Sequence, residues 1–571
     1  MDRNTIIGFI IIMAVLLLFF PAWNFFFPPT PVNVPPTPTQ APSTTPPESL
    51  NQPESLKTVT PLGRTAYPES TAQATSQIEP EKFVNVETEY LKIRLSSYGG
   101  NVRQVILKNY PRYDGNSYAM MDSYSTPTWA SHGALTLGYG DQIAPLNGYS
   151  FQAPDGDVTL NRKDSIASVI FTYSTSDGAS IVKSYTFHYS EYRYDLKIDI
   201  KNAPALGFLQ GITLGWFSPL EPSEHDLGQD KGKLGGFFDM GGDFLSYKGL
   251  KNGQLKQAAT GPIEWVATRT KYFTSVIMAD SMPGQQVTVL GAETNRADSL
   301  GRISKWDLYG IGLTFEHPEQ ITSLNFTIYN GPLDYDKLSK MGHNLASLVD
   351  FGWKYFRPFA IAILWLFTTL HKFIFNYGFV IIVFSIFMKV IFWPLSLKSA
   401  KSMYKMREIQ PILNQIKEKY KNDPAKLNQE TMKASKEYGV NPFGSCLPML
   451  IQLPIFWALY AVLSNTIELR GAPFVLWIKD LSQPDPTGRF LFGIGILPII
   501  MGLAMFFQQK MTITDPKQKM MVYLMPVLFT YLFSRWASGL VLYWTLFSIM
   551  GIFEQWLVIR HIEAEKESKR T

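Results

Sequence analysis

A single lysine, Lys389, stands in the middle of the apolar run Phe379–Leu397. It lies about nine residues from Lys398, which on a helix is roughly 13 Å. A charge at that depth in a bilayer costs at least ~2.5–3.5 kcal/mol and normally faces protein or a water-filled cavity. The competing reading is a stem that snorkels to the cytoplasmic surface, but a lysine stem covers only about half the distance. The expectation is therefore a wet cavity at Lys389. Ser385 sits one turn earlier on the same face, and its own run holds no acidic residue. Gln452 and Thr545, in other apolar runs, extend the polar lining or simply bond between helices. Glu554, near the cytoplasmic end of the last run, reads as an interface residue paired with a nearby lysine. No phosphate loop, paired catalytic carboxylates or nucleophile–base arrangement is present, so neither an enzyme, nor a cofactor, nor a metal is expected. The lone Cys446 excludes an intrachain disulfide.

The elements that must hold these residues follow from the apolar runs. Ile6–Phe20 follows Arg3 and continues through Trp23 to Phe27 without a small-x-small cleavage site, which predicts an uncleaved anchor over 1–27. Residues 28–80, rich in Pro, Thr and Ser, cannot bury enough surface to order and predict a disordered linker. Further runs predict spans over 378–397, 446–466, 490–508, 520–534 and 539–559. The basic segments 398–441, 509–519 and 560–571 are placed in the cytoplasm by the positive-inside rule. Six spans then satisfy every charge cue, with both termini inside. A seventh span over Phe359–Phe375 would put the most basic loop outside, so 341–377 predicts an amphipathic helix in the outer interface.

Two more segments have a clear pattern. Met403, Met406, Ile409, Ile412, Leu413 and Ile416 recur at helical spacing, and Asn422-Asp423-Pro424 breaks the repeat, predicting a basic helical hairpin over 398–441. Between 81 and 340, alternating runs such as Ile181–Tyr189 and Tyr194–Ile200 are divided by Gly- and Asp-rich turns. That pattern predicts an all-β domain outside the cytoplasm. Gly235–Gly253 is glycine-rich enough to predict a long loop. The fold class expected is a polytopic α-helical membrane protein, a five-helix core plus an N-terminal anchor, carrying an external β domain.

Several long runs resemble the YidC-type membrane protein insertases. They are IFWPLSLKSAKSMYKMREIQP at Ile391–Pro411, VNPFGSCLPMLIQLPIFWALY at Val440–Tyr460, ELRGAPFVLWIKDLSQPDP at Glu468–Pro486, and GPIEWVATRTKYF at Gly261–Phe273. The resemblance implies a bacterial inner-membrane protein whose periplasmic domain is a β-supersandwich similar to sugar mutarotases. It also implies a hydrophilic groove open to cytoplasm and lipid. Lys389, Ser385, Gln452, Tyr543, Trp544 and Thr545 are the residues expected to line that groove. Lys389 stands where many members have arginine, keeping the charge and losing the bidentate fork. Trp544 stands where relatives use tyrosine. Met403, Lys405, Met406, Arg407, Lys417 and Lys419 of the hairpin are implied to meet substrate or ribosome. The implied partners are nascent membrane proteins, the Sec translocon, the ribosome and the lipid bilayer, with no specific nucleic-acid sequence; folding and assembly of membrane proteins would be assisted as well. From the residues alone, a small-anion transporter and an anchored carbohydrate-binding module remain open.

Overall fold

The computed structural model describes residues 80–112, 115–122, 133–139, 149–209, 211–297, 301–317, 321–439, 447–489, 493–512 and 519–568. The expected anchor, nearly all of the linker, Cys446 and the last residues of the basic tail lie outside the described residues.

Period-two alternation becomes sheet from Phe83 onward. Strand Ser180–His188 buries Ile181, Tyr185 and Phe187 and leaves the intervening residues half exposed, as a pleated strand with one core face must. Its neighbours Ile166–Ser174 and Arg193–Lys201 pair with it antiparallel. The series continues through Ser323–Pro332, Phe273–Ala279 and Gln254–Arg269. Seventeen strands among the described residues join into one hydrogen-bonded sheet. Every pairing is antiparallel except that of Phe83–Glu87 with Val158–Thr159. One inward position on Ser180–His188 is charged. The Lys183 ammonium is fully buried and donates to Gly99 O, Asn101 Oδ1 and Leu135 O at 2.8–2.9 Å. Burial pushes this amine down to about 7.

The long loop expected over Gly235–Gly253 is instead largely a hairpin of strands Gly235–Met240 and Asp243–Tyr247. Two of the glycines, Gly235 and Gly236, serve close packing rather than turning. A Cβ on Gly236 would lie 2.6 Å from Val289 Cγ1. Gly241 and Gly242, at φ 63° and 88°, make the hairpin turn, and Gly249 and Gly253, both at φ 76°, turn the chain after it.

Strand Gln254–Arg269 changes partner along its length. Gln254–Thr260 pairs with Gly284–Ala297, and Trp265–Arg269 pairs with Phe273–Ala279. The switch falls at Gly261-Pro262, where proline has no N–H to give. The following turn, closed by Thr270 N–H to Phe273 O at 2.8 Å, carries Lys271 and Tyr272 toward the helices.

Nine helices are described: α1 (Gly228–Lys231), α2 (Tyr335–Met341), α3 (Arg357–His371), α4 (Tyr377–Lys419), α5 (Pro424–Glu437), α6 (Leu447–Asn465), α7 (Ile496–Thr512), α8 (Lys519–Phe533) and α9 (Ser538–Ser568). In α3 a face of Ala360, Ile363, Leu364 and Phe367 is buried, while Phe359 and Trp365 are exposed. That helix covers only part of the amphipathic stretch expected over 341–377. The expected boundary between a span and the hairpin near Leu397 is not a break: α4 runs continuously for 43 residues through Pro394 and Pro411. The hairpin then closes by Asp423, whose side chain caps Lys426 N–H at 3.0 Å, with Pro424 at the first position of α5. Ile409, Leu413 and Ala434 form its own small core, with Met406 and Ile416 against it.

Tyr377–Met406 and Ser538–His561 are long and apolar enough to cross a membrane, and Arg357–His371, Ile496–Met511 and Met520–Phe533 are shorter apolar helices. Close approach among them rests on small residues. A Cβ on Gly502 of α7 would sit 2.0 Å from Thr530 Oγ1 of α8, and one on Gly551 of α9 would sit 2.3 Å from Gln508 Nε2 of α7.

Candidate functional site

Helix α4 begins at Asn376, whose side chain accepts Gly378 N–H at 2.8 Å. Gly378 has no side chain because the Phe474 ring lies where a Cβ would be, 1.9 Å from Phe474 Cδ2. Three turns further on, Lys389 meets α9. Its Nζ donates to Glu554 Oε2 at 2.6 Å and stands over the Phe547 ring, 4.4 Å from the centroid. The two residues are 8% and 6% exposed. Among the described residues, the second carboxylate oxygen, Glu554 Oε1, is buried with no hydrogen-bond partner.

Two expectations change here. The ammonium expected to face a wet cavity is capped by a carboxylate and a ring. Glu554, expected at the interface with a nearby lysine, is buried and has a lysine as its partner, but that lysine is Lys389, 165 residues away. A signal for this pairing exists in the sequence. Across the five runs Phe379–Leu397, Leu447–Leu463, Phe490–Phe507, Met521–Phe533 and Leu540–Val558, Lys389 is the sole cation and Glu554 the sole anion. Two opposite charges that each cost too much alone in apolar surroundings have every reason to meet.

A ladder of contacts leads from the pair toward α6. The Phe547 ring is 5.8 Å from Tyr543, and the Tyr543 hydroxyl accepts from Gln452 Nε2 at 2.5 Å. Tyr543 also faces Phe384 of α4 at 6.0 Å. Lys389, Gln452 and Tyr543 are thus brought together across α4, α6 and α9. Ser385 and Thr545 are buried and donate to the carbonyls of Ile381 and Val541 within their own helices, both at 2.7 Å. Their hydroxyl protons are spoken for, which leaves oxygen lone pairs as their contribution. Trp544 turns away from the ladder into an aromatic cluster with Phe456, Phe533 and Phe529, at 5.3, 5.6 and 6.5 Å.

The hairpin residues are spread out. Lys405 and Lys419 are exposed, with Lys419 Nζ 5.4 Å from the Tyr420 ring. Lys417 is half-buried. Met406 packs into the hairpin core rather than facing outward. The side chains of Met403 and Arg407 lie outside what is described.

A second ionic cluster, not anticipated from the sequence, joins the β domain to the segment after α6. Arg470 donates from Nε to Glu224 Oε1 at 2.7 Å, and its Nη2 reaches Pro111 O and Ser223 O at 3.0 and 3.2 Å. Glu224 Oε2 accepts from Gln483 Nε2 at 3.0 Å. Gln483 in turn accepts from Gln229, and Gln229 from Lys271 Nζ, at 2.6 and 2.9 Å. Tyr272 donates to Ser464 O at 3.0 Å, and Lys233 binds Asp350 at 2.7 Å, whose carbonyl takes Asn465 Nδ2 at 3.0 Å. Burial and neighbouring Glu224 push the Asp230 carboxyl up to about 7 against the Lys271 N–H it accepts. Burial also pushes Asp350 upward, but Lys233 and Arg269 together hold it well below the usual carboxylate range. The Gly261–Phe273 motif therefore ends in the side chains that dock the domain.

Comparison with known proteins agrees with this architecture. The family described as YidC periplasmic domain matches residues 83–366, and the 60Kd inner membrane protein family matches residues 369–566. Membrane protein insertase YidC of Chlorobaculum tepidum is 32% identical over 97% of this chain and 94% of its own length. That of Chlorobaculum parvum is 31% identical over 97% and 94%, and that of Syntrophobacter fumaroxidans 36% identical over 67% and 68%. An external β domain docked on apolar helices, matched along almost its full length, places the chain in the YidC family of membrane protein insertases.

Proposed function

We propose that this protein moves hydrophobic segments and short N-tails of newly made inner-membrane proteins from the cytoplasm into the bilayer, with the enclosure around Lys389 as the passage for the tail. The observation that carries this reading is the buried Lys389–Glu554 pair, linked by Phe547 and Tyr543 to Gln452. Lipid-facing helices have no use for such a group, and buried ionisable residues among them mark pathways. In this reading six spans are present, both termini are cytoplasmic, and the basic hairpin is the first contact for the nascent chain, the ribosome and the Sec translocon.

The steps follow from solvation. An apolar segment of about 20 residues gains free energy in lipid without a nucleotide. The barrier is its polar tail, whose desolvation a positioned ammonium offsets when the tail is acidic. The membrane potential, positive outside, favours outward passage of an acidic tail. Helix α8 has 15 residues, about 22 Å of rise against a hydrocarbon core of ~30 Å, so the bilayer beside it must thin. A shorter crossing lowers the barrier further.

The test is insertion of a single-span substrate with an acidic N-tail into vesicles holding the full chain or its variants at equal abundance. Lys389→Arg is expected to keep most activity and Lys389→Ala to lose most of it. Because Lys389→Ala strands Glu554, the double variant Lys389→Ala with Glu554→Gln is run beside it. Equal rates for native and double variant would rule out the passage proposed.

A further inference from the structure

Lys389 is not a free cation waiting for a substrate carboxylate. It already holds one. We infer that Glu554 sets the charge preference of the passage by acting as a built-in competitor for Lys389, an inference that rests on the groove reading above. The enclosure is electrically neutral as it stands: one ammonium, one carboxylate, 2.6 Å apart and both more than nine-tenths buried. An incoming Asp or Glu side chain can reach Nζ only by taking the place of Glu554 Oε2. The displaced carboxylate stays in the same apolar surroundings, since Glu554 is fixed on α9 and its other oxygen has no donor among the described residues.

An acidic tail is therefore helped by Lys389 and opposed by Glu554. A neutral tail leaves the pair intact. The native passage discriminates weakly between the two, which suits a protein that handles varied tails. Removing the negative charge at 554 while keeping its shape turns the enclosure cationic. Acidic tails then bind the ammonium with no rival, and basic tails meet an uncompensated like charge, an arrangement that discriminates against wrong partners. Glu554 thus determines specificity without being needed for insertion as such.

The experiment measures insertion of three single-span substrates, differing only in whether the N-tail carries two Asp, two Ser or two Lys. The full chain and its variants are reconstituted in vesicles of one lipid composition. The quantity read is the ratio of acidic-tail to neutral-tail insertion within each preparation, so differences in abundance cancel. Glu554→Gln is expected to raise that ratio by roughly fivefold or more and to depress the Lys-tailed substrate. Glu554→Asp, which keeps the charge, is expected to hold the ratio near native. A ratio unchanged in Glu554→Gln, or raised equally in Glu554→Asp, overturns the inference. Lys389→Met with Glu554→Gln separates its failure from that of the groove reading. If that double variant handles all three tails as the native chain does, the passage lies elsewhere. If it loses acidic-tail insertion while Glu554→Gln leaves the ratio unchanged, the passage stands and only the competitor role falls.

Discussion

The junction under the β domain and the pair inside the helices both bury charge, and they do so in opposite ways. At the junction Arg470 and Glu224 each have several partners. Glu224 accepts from Arg470, Gln483 and Ser223, and Arg470 also holds two carbonyls. Inside the helices Lys389 and Glu554 share one hydrogen bond, and one carboxylate oxygen is idle among the described residues. Groups held by several partners at once, as Arg470 and Glu224 are, stay in one geometry. A pair with a spare acceptor and a single bond can exchange partners. The difference separates a clamp from an exchangeable pair, using the same residue types.

Breaking the clamp should have the largest effect. Arg470→Ala strands Glu224 and is expected to cost about 3–5 kcal/mol, read as loss of thermal stability of the full chain in detergent. A loss within error of a surface substitution would show that the junction is not a clamp. Next comes the pair. Lys389→Ala strands Glu554, and adding Glu554→Gln is expected to regain about 2 kcal/mol of stability without regaining acidic-tail insertion. Recovery of both together would mean the pair is only structural.

A smaller effect is expected at Asp230, one of whose carboxylate oxygens has no partner among the described residues. Its carboxyl is raised to about 7 in the folded chain, against ~3.9 unfolded. The folded state holds this proton over that window, so the group's contribution is fully present below pH ~4 and is lost as pH rises to about 7. Asp230→Asn should therefore gain stability relative to the native chain by roughly 1 kcal/mol at pH 8, and the gain should vanish toward pH 4. A gain independent of pH would remove titration as its cause. The smallest effect belongs to an exposed pair, Lys108–Glu87 at 2.8 Å. Lys108→Met is expected to change stability by less than about 1 kcal/mol, and less still in high salt. A larger loss would blur the contrast between networked and isolated charges.

Local period made much of the fold legible. Alternation over Ile181–Tyr189 and Tyr194–Ile200 corresponds to strands Ser180–His188 and Arg193–Lys201, and the break at Asn422-Asp423-Pro424 to the cap of α5. Glycine misled where it served contact rather than turning, at Gly235 and Gly236. The change of composition near Leu397 misled in α4, where Pro394 and Pro411, both exposed, sit inside a continuous helix. The site was half legible. A lone lysine in an apolar run announces itself, and Gln452 and Tyr543 do gather near it. Its partner was harder to find because pairing across 165 residues is decided by helix order, which no local pattern encodes. Arg470 and Glu224 were invisible for the same reason, since a charge in a polar loop costs nothing until the fold buries it.

Helix α4 has a mechanical consequence. Its 43 residues make a rod of about 65 Å, with Lys389 partway along and the hairpin at its far end. A large object pressing on the hairpin loads the long arm of a lever whose short arm carries the ammonium. Tilt delivered at the tip arrives at the pair as a much smaller displacement, yet a single 2.6 Å bond yields to a fraction of an ångström. A load on the hairpin can thus loosen the Lys389–Glu554 contact from a distance.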